Sequence, residues 1–164
     1  MFETFMHPGA YRIDYFNGEA MGRPDAIALY VLGNLPEQAA YSNQAKRNLV
    51  AGLSLIQKEI GKQNLVAVYI DINTADNLAR PAYQQMKWDI RLGVSHQIMV
   101  HDMSDLAIDS VVMDDLCNLY REVGGFKVIT YHTGVCRCEV LDFDCYPWID
   151  AERRAVYEPY HPCQ

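Results

Sequence analysis

The stretch that decides the fold runs from residue 80 to residue 106 and reads RPAYQQMKWDIRLGVSHQIMVHDMSDL. Pro81 suits the first turn of a helix, where its missing N–H would have no partner, and Gly93 suits the position just after a helix end. The pattern therefore predicts a helix beginning near Arg80. QIMVH, residues 97–101, predicts a buried strand, and HDMSD predicts a polar turn at its carboxyl end. Ligands of open parallel α/β sheets bind beyond the carboxyl ends of strands, so this turn is where a site is first expected.

The sequence on both sides of this stretch alternates buried strands with amphipathic helices. Strands are predicted at AIALYVL (residues 26–32), LVAVYID (65–71) and FKVITY (126–131), and helices at 37–62 and 110–123. Strands that alternate with helices through short links form a mainly parallel sheet with helices on both faces. The predicted fold class is therefore α/β with three layers.

Both ends of the chain are predicted to add to this core within a single domain, residues 1–164. Residues 1–25 form an N-terminal extension, in which 12–16 could be a short edge strand before an Asn17-Gly18 turn. Residues 26–131 form the α/β core. Residues 132–164 form a Cys-containing C-terminal extension, with one more edge strand predicted at 138–144 and a helical turn at 150–156.

Composition limits the classes of partner. The net charge is −7, with 14 basic residues against 21 acidic ones, and nucleic-acid affinity depends on Lys and Arg neutralising phosphates. The sequence has no apolar run long enough to span a bilayer and no secretory leader at its N-terminus. We expect a cytoplasmic protein without a membrane partner. Neither a GxGxxG nor a Walker-type phosphate loop is present, so no cofactor is expected.

The layout of the Arg80–Leu106 stretch resembles the catalytic domain of the serine recombinases, the resolvase/invertase family. That family has an Arg-Pro pair opening a helix, a glycine after it, a hydrophobic strand, and then a turn of the type Leu-Asp-Arg-Leu-x-Arg. The resemblance extends from Ile27 to Thr130. It implies a flavodoxin-like strand order, 2-1-3-4, and a DNA-cleaving site at the carboxyl edge of the sheet.

The residues that carry the family's chemistry are replaced. The family's first strand ends in a pattern like Tyr-x-Arg-x-Ser, whose serine attacks DNA and whose arginine holds the scissile phosphate. Here those positions read Tyr30, Leu32 and Asn34. In the turn, after Ser104, the positions of two arginines are taken by Asp105 and Ile108. An acid there repels phosphate, and asparagine cannot form the phosphoester intermediate.

Asp71 and Arg80 persist at positions that resemble the family's site, and both also have a packing interpretation. Arg80 could pair with Asp71 or Asp76, and Tyr30 could be a core residue with a hydrogen-bonded hydroxyl. We interpret them as structural. The resemblance then implies a catalytically inactive module for protein interaction or regulation in DNA recombination. Its partner would be another protein or a second copy, and DNA is disfavoured by the net charge.

Three alternatives stay open. Asp71, Asp102 and Asp105 could hold a divalent cation for a small ligand or a hydrolytic reaction at the sheet edge. The chain could also be an accessory DNA-binding protein in recombination. The five cysteines, an odd number without an export signal, indicate thiols. The tail could bind zinc, with these candidate ligands: His132, Cys136, Cys138, Cys145, His161 and Cys163.

Overall fold

The structure is a computed structural model that describes residues 10–33, 40–72, 77–132 and 135–141. Six strands form one sheet in the order β1-β3-β2-β4-β5-β6. Their bounds are Tyr11–Tyr15 (β1), Ile27–Gly33 (β2), Leu65–Ile72 (β3), Gln97–Val100 (β4), Lys127–His132 (β5) and Val135–Leu141 (β6).

The four central strands are parallel, and the two edge strands are antiparallel to their neighbours. The predicted mainly parallel α/β sheet is therefore confirmed. Taken in chain order, the four parallel strands lie in the order 2-1-3-4. The N-terminal edge strand predicted at 12–16 lies at 11–15. The C-terminal one begins and ends three residues before the predicted 138–144, since the chain reverses directly after β5.

Four helices accompany the sheet in the described part of the chain: Ala40–Leu55 (α1), Pro81–Arg91 (α2), Met103–Leu106 (α3) and Ser110–Val123 (α4). The helix predicted over 37–62 is regular only to Leu55. It continues as a π-helical turn, Ile56–Ile60, closed by the hydrogen bond from Gly61 N to Ile56 O at 2.6 Å. None of the helices in the described ranges has the length and apolar character required to cross a membrane.

Alternate residues of β2 separate the two sides of the core. Ala28, Tyr30 and Leu32 belong to an apolar cluster with residues of α2 and α4. Ile27, Leu29 and Val31 belong to a second cluster with residues of α1. Because successive strand residues point to opposite faces, the sheet is covered on both sides, as the nearly continuous apolar sequence of β2 predicts.

Local sequence signals explain where the helices begin and end. Pro81 occupies the first turn of α2, and Gly93 and Gly124 follow α2 and α4 with φ of 81° and 84°, a left-handed conformation that favours glycine. The prediction of a mere polar turn at HDMSD is wrong. Asp102 accepts a hydrogen bond from the backbone N of Ser104 at 2.9 Å and so caps the one-turn helix α3.

Candidate functional site

The carboxyl edge of the sheet brings Tyr30, Asp71 and Arg80 together. The Tyr30 hydroxyl donates to Asp71 Oδ2 at 2.8 Å, and Arg80 Nη1 donates to the Tyr30 oxygen at 2.9 Å. All three side chains are fully buried. Burial, followed by the charge of Asp71, raises the pKa of Tyr30 well above its ordinary value. The hydroxyl is therefore a neutral bridge between the carboxylate and the guanidinium.

Asp71 caps the N-terminus of α2. Its Oδ1 accepts from Ala82 N at 2.9 Å and its Oδ2 accepts from Tyr83 N at 2.8 Å, in addition to the Tyr30 hydroxyl. Burial raises the pKa of Asp71, while these three hydrogen bonds and the charge of Arg80 act in the opposite direction. The carboxylate is thus used to join β3 and β2 to the start of α2.

Arg80 ties α2 to the end of α3. Its Nη1 also donates to the carbonyl of Asp105 at 3.0 Å, and its Nη2 donates to the carbonyl of Leu106 at 2.7 Å. The ring of Tyr83 lies 4.4 Å from the guanidinium carbon, close enough for a cation–π contact. Because the exposed fraction of Arg80 is 0%, its guanidinium presents no surface to a bound phosphate. The predicted partner Asp76 lies outside the described residues.

Leu32 and Ile108, which the resemblance aligns with arginines, do not line a basic pocket in the described part of the chain. Leu32 is buried among the apolar residues under α2 and α4, and Ile108 is 37% exposed between α3 and α4. Asn34 lies outside the described residues. Ser104 is exposed on α3, and its hydroxyl donates to Asp102 Oδ1 at 2.8 Å.

A second polar cluster at the same edge is partly exposed to solvent. His101 Nδ1 lies 3.9 Å from Asp105 Oδ2, and each side chain is 21% exposed. Burial, reinforced by the charge of Asp102, raises the pKa of Asp105 to about 6. The ring of Tyr131 on β5 stands edge-on to His101, with ring centroids 5.3 Å apart. The apolar pattern predicts His101 only as the end of a strand, although its spacing of four residues from Asp105 is a signal for this pair.

The structure does not bring Asp71, Asp102 and Asp105 together as three ligands of one cation. Asp71 is used by Tyr30 and the α2 backbone, and Asp102 Oδ1 accepts from both the backbone and the hydroxyl of Ser104. Over the described ranges, no three His, Cys, Asp or Glu side chains are arranged to hold a metal ion. The side chains of the predicted zinc ligands lie outside the described part of the structure. Only the backbone is described at His132 and at Cys136 and Cys138, which belong to β6. Cys145, His161 and Cys163 lie outside the described residues.

A third polar group, which sequence analysis did not single out, fixes the edge strand β1. Asp89 Oδ2 accepts from the hydroxyls of Tyr15 and Tyr69, each at 2.6 Å, and Asp89 Oδ1 accepts from Gln85 Nε2 at 2.9 Å. Burial, followed by the hydrogen bond to Asp89, raises the pKa of Tyr15 to about 12. This carboxylate joins β1 and β3 to α2, at a distance from the carboxyl edge.

Comparison of the chain with protein-family models, with curated proteins and with solved structures finds no match.

Proposed function

We propose that this chain is a catalytically inactive, resolvase-like domain that acts through protein interaction or regulation in DNA recombination. The single observation that supports this most is the state of Arg80. Its guanidinium is completely buried and donates to the Tyr30 hydroxyl and to the carbonyls of Asp105 and Leu106. The arginine that fits the family's pattern is thus part of the core here and is not available to contact a phosphate.

The surrounding residues support the same proposal. Phosphoryl transfer needs a nucleophile in line with the phosphate and cations aimed at its oxygens. Leu32 is apolar and buried, and the accessible side chains near α3 include the acidic Asp102 and Asp105. Loss of one transition-state arginine typically lowers such rates by about 10³–10⁵-fold. The replacement of several leaves no route to strand cleavage.

The retained scaffold favours a binding role over simple loss of function. The four parallel strands have the 2-1-3-4 order that the resemblance implies, and Asp71 and Arg80 connect three elements of the core. These side chains stabilise the fold whether or not the chain cleaves DNA. A stable domain that keeps its shape without its chemistry is suited to contact another protein.

Incubation with supercoiled DNA tests the proposal. We expect neither nicked product nor a covalent protein–DNA adduct with the native chain. Ser104 is an exposed hydroxyl on α3, in the turn that the resemblance aligns with the family's site, so Ser104→Ala is the matched variant. An adduct formed by the native chain and abolished by Ser104→Ala, or by replacement of any other single Ser or Tyr, would overturn the proposal.

A second candidate function, small-ligand binding or hydrolysis at the same edge, is favoured by the His101–Asp105 pair. A carboxyl with a pKa of about 6 can exchange protons near neutral pH. Thermal unfolding with and without Mg²⁺ or Mn²⁺ separates the two functions. A rise in the unfolding temperature that disappears in Asp105→Asn would favour the second candidate.

DNA binding without cleavage is favoured by a separate feature, the basic residues on the outer side of α1 and just after it. Lys46, Arg47, Lys58 and Lys62 are all exposed. Binding through them would be steeply salt-dependent, because each phosphate contact releases counterions. A DNA titration at two salt concentrations tests this alternative. Affinity that is absent at low salt would exclude it.

A further inference from the structure

The outer edge of β1 offers hydrogen-bonding groups to another strand. In the β1–β3 pair, Ile72 N donates to Ala10 O and Phe16 N donates to Val66 O, each at 2.9 Å. The register Tyr11↔Asp71 to Tyr15↔Ala67 then assigns the even-numbered residues of β1 to hydrogen-bonded pairs with β3. The backbone groups of residues 11, 13 and 15 consequently point away from β3, where no described strand pairs with them.

The sequence of β1 is complementary to itself. It reads Tyr11-Arg12-Ile13-Asp14-Tyr15, which is unchanged on reversal except that the basic and acidic positions exchange. When two copies of this strand run antiparallel with Ile13 opposite Ile13, each Tyr11 faces a Tyr15 and each Arg12 faces an Asp14. Such mutual pairing of one surface with itself is the property of a two-fold symmetric interface.

We propose that two copies of this chain associate through β1, centred on Ile13, to form one sheet that is continuous through both. Tyr11, Ile13 and Tyr15 then form the hydrogen-bonded pairs between copies, with about six backbone hydrogen bonds in all. The inference rests on the geometry and sequence of β1. It holds whether or not the chain cleaves DNA.

The charged side chains fall where they can interact most strongly. In this register Arg12 and Asp14 of opposite copies occupy the pairs that lack backbone hydrogen bonds, and in an antiparallel sheet these pairs bring side chains closest. Their side chains are 40% and 36% exposed, and within one copy Arg12 Nε lies 2.7 Å from Asp14 Oδ2. Pairing would extend this ion pair into a network of four charges across the two-fold axis.

The aromatic residues of β1 also favour a second copy of the chain as the partner that pairs with this edge. Tyr11 and Tyr15 are 49% and 48% exposed, and an edge strand with half-exposed aromatic rings invites strand pairing unless something covers it. The ring of Tyr15 is already held by its hydrogen bond to Asp89, so little side-chain freedom is lost on association. A different protein would have to match the same order of charges, which the chain itself supplies.

Substitutions that reverse the charges of Arg12 and Asp14 test the proposal. Sedimentation equilibrium measures the dimer dissociation constant of each variant. Arg12→Asp alone places acid opposite acid at both symmetric positions, and Asp14→Arg alone places base opposite base. We expect each to raise the dimer dissociation constant by about tenfold or more, because both pairs change from attraction to repulsion. An equimolar mixture of the two variants restores the opposite charges, and so does the double variant Arg12→Asp/Asp14→Arg.

Arg91→Asp is the matched control. It removes an ion pair of similar length, 2.8 Å to Glu122, between α2 and α4, so it reverses the same charge without touching β1. We expect the native dissociation constant for this control. Circular dichroism confirms that each variant is folded, and hydrogen exchange of residues 11, 13 and 15 should show protection that increases with protein concentration.

Three results would overturn the inference. The first is a native chain that stays monomeric at millimolar concentration. The second is self-association that neither single variant weakens, or that the mixture fails to restore. The third is protection of residues 11, 13 and 15 that is equally strong in the dilute monomer, because it would show that another part of the same chain covers this edge.

Discussion

Two polar clusters at the carboxyl edge of the sheet have opposite relations to solvent. The Tyr30–Asp71–Arg80 cluster is fully buried, and its hydrogen bonds join β2, β3, α2 and α3. The His101–Asp105 pair, beside α3, is 21% exposed at each side chain. The former contains Asp71 and Arg80, which fit the resemblance proposed from the sequence, whereas the latter contains Asp105, which does not fit it. A residue type that fits a family pattern is therefore weak evidence for chemistry when its polar atoms serve the fold.

The largest loss of stability is expected for Arg80→Ala, which tests whether the buried cluster holds the fold together. This change leaves the carbonyls of Asp105 and Leu106 without their guanidinium donor and leaves Asp71 buried without the nearby positive charge. We expect a loss of about 3–5 kcal/mol in the free energy of unfolding, measured with urea. The exposed Arg91–Glu122 pair supplies the control, since Arg91→Ala should cost less than about 1 kcal/mol. Equal losses in the two variants would contradict a structural role for Arg80.

The next largest change in the free energy of unfolding is expected for Asp105→Asn, and it depends on pH. Folding raises the pKa of Asp105 from 3.8 to about 6, so the native state favours the protonated acid. The stabilisation from this group is fully present below about pH 4 and is lost as the pH rises through about 6. Asparagine does not titrate, so the stability of the variant relative to the native chain should increase from pH 4 to pH 7, by up to about 3 kcal/mol.

Urea unfolding at both pH values measures this increase, and NMR titration of the Asp105 carboxyl measures its pKa directly. Asp25→Asn is a suitable control, because Asp25 is exposed and lies before β2, outside both polar clusters and outside β1. A difference between native chain and Asp105→Asn that is the same at pH 4 and pH 7 would show that Asp105 is ordinarily solvated.

Tyr30→Phe removes only the bridge of the buried cluster. The ring remains packed, Asp71 keeps the backbone donors of Ala82 and Tyr83, and Arg80 keeps the two carbonyls. We expect a loss of about 1–2 kcal/mol in the free energy of unfolding. Calorimetry of Tyr30→Phe and Arg80→Ala shows which variant loses more free energy of unfolding. A loss as large as that of Arg80→Ala would mean that the hydroxyl, rather than the guanidinium, holds the cluster together.

The smallest of these effects is expected for Asp102→Ala. Loss of the α3 cap should cost about 1 kcal/mol, and Asp109→Ala at the start of α4 is the matched cap, since Asp109 Oδ1 accepts from Val112 N at 3.0 Å. Only Asp102→Ala should also lower the pKa of Asp105, because the charge of Asp102 contributes to raising it. NMR titration of both variants separates the capping effect from the electrostatic one.

The regular elements were predictable because each has a local cause. Nearly continuous apolar runs located the buried strands, apolar residues spaced by three and four located the helices, and the glycines after α2 and α4 located the helix ends. The contacts of Arg80 were not predictable in the same way. The sequence indicated a structural role, but two of the acceptors of Arg80 are the backbone carbonyls of Asp105 and Leu106. Because every residue has a carbonyl, the sequence does not indicate which ones accept.

Other features were present in the sequence and were overlooked. Asp102 stands two residues before Ser104, in the arrangement of a helix cap, yet HDMSD was interpreted as a turn. By contrast, no local pattern indicates the role of Asp89, whose carboxyl accepts from two tyrosine hydroxyls on β1 and β3, which are distant in sequence. Such convergence depends on which strands become neighbours, and periodicity alone does not fix that order.

The placement of β1 beside β3 has a consequence for assembly of the chain. Of the described strands, β1 comes first in sequence, yet its hydrogen-bonding neighbour β3 is synthesised only after β2 and α1. During translation this aromatic strand therefore remains unpaired with its native neighbour until the ribosome has produced residues 65–72. Because β1 can pair with β1 of another copy, the nascent chain is then most vulnerable to aggregation on polysomes, where several unfinished copies are close together.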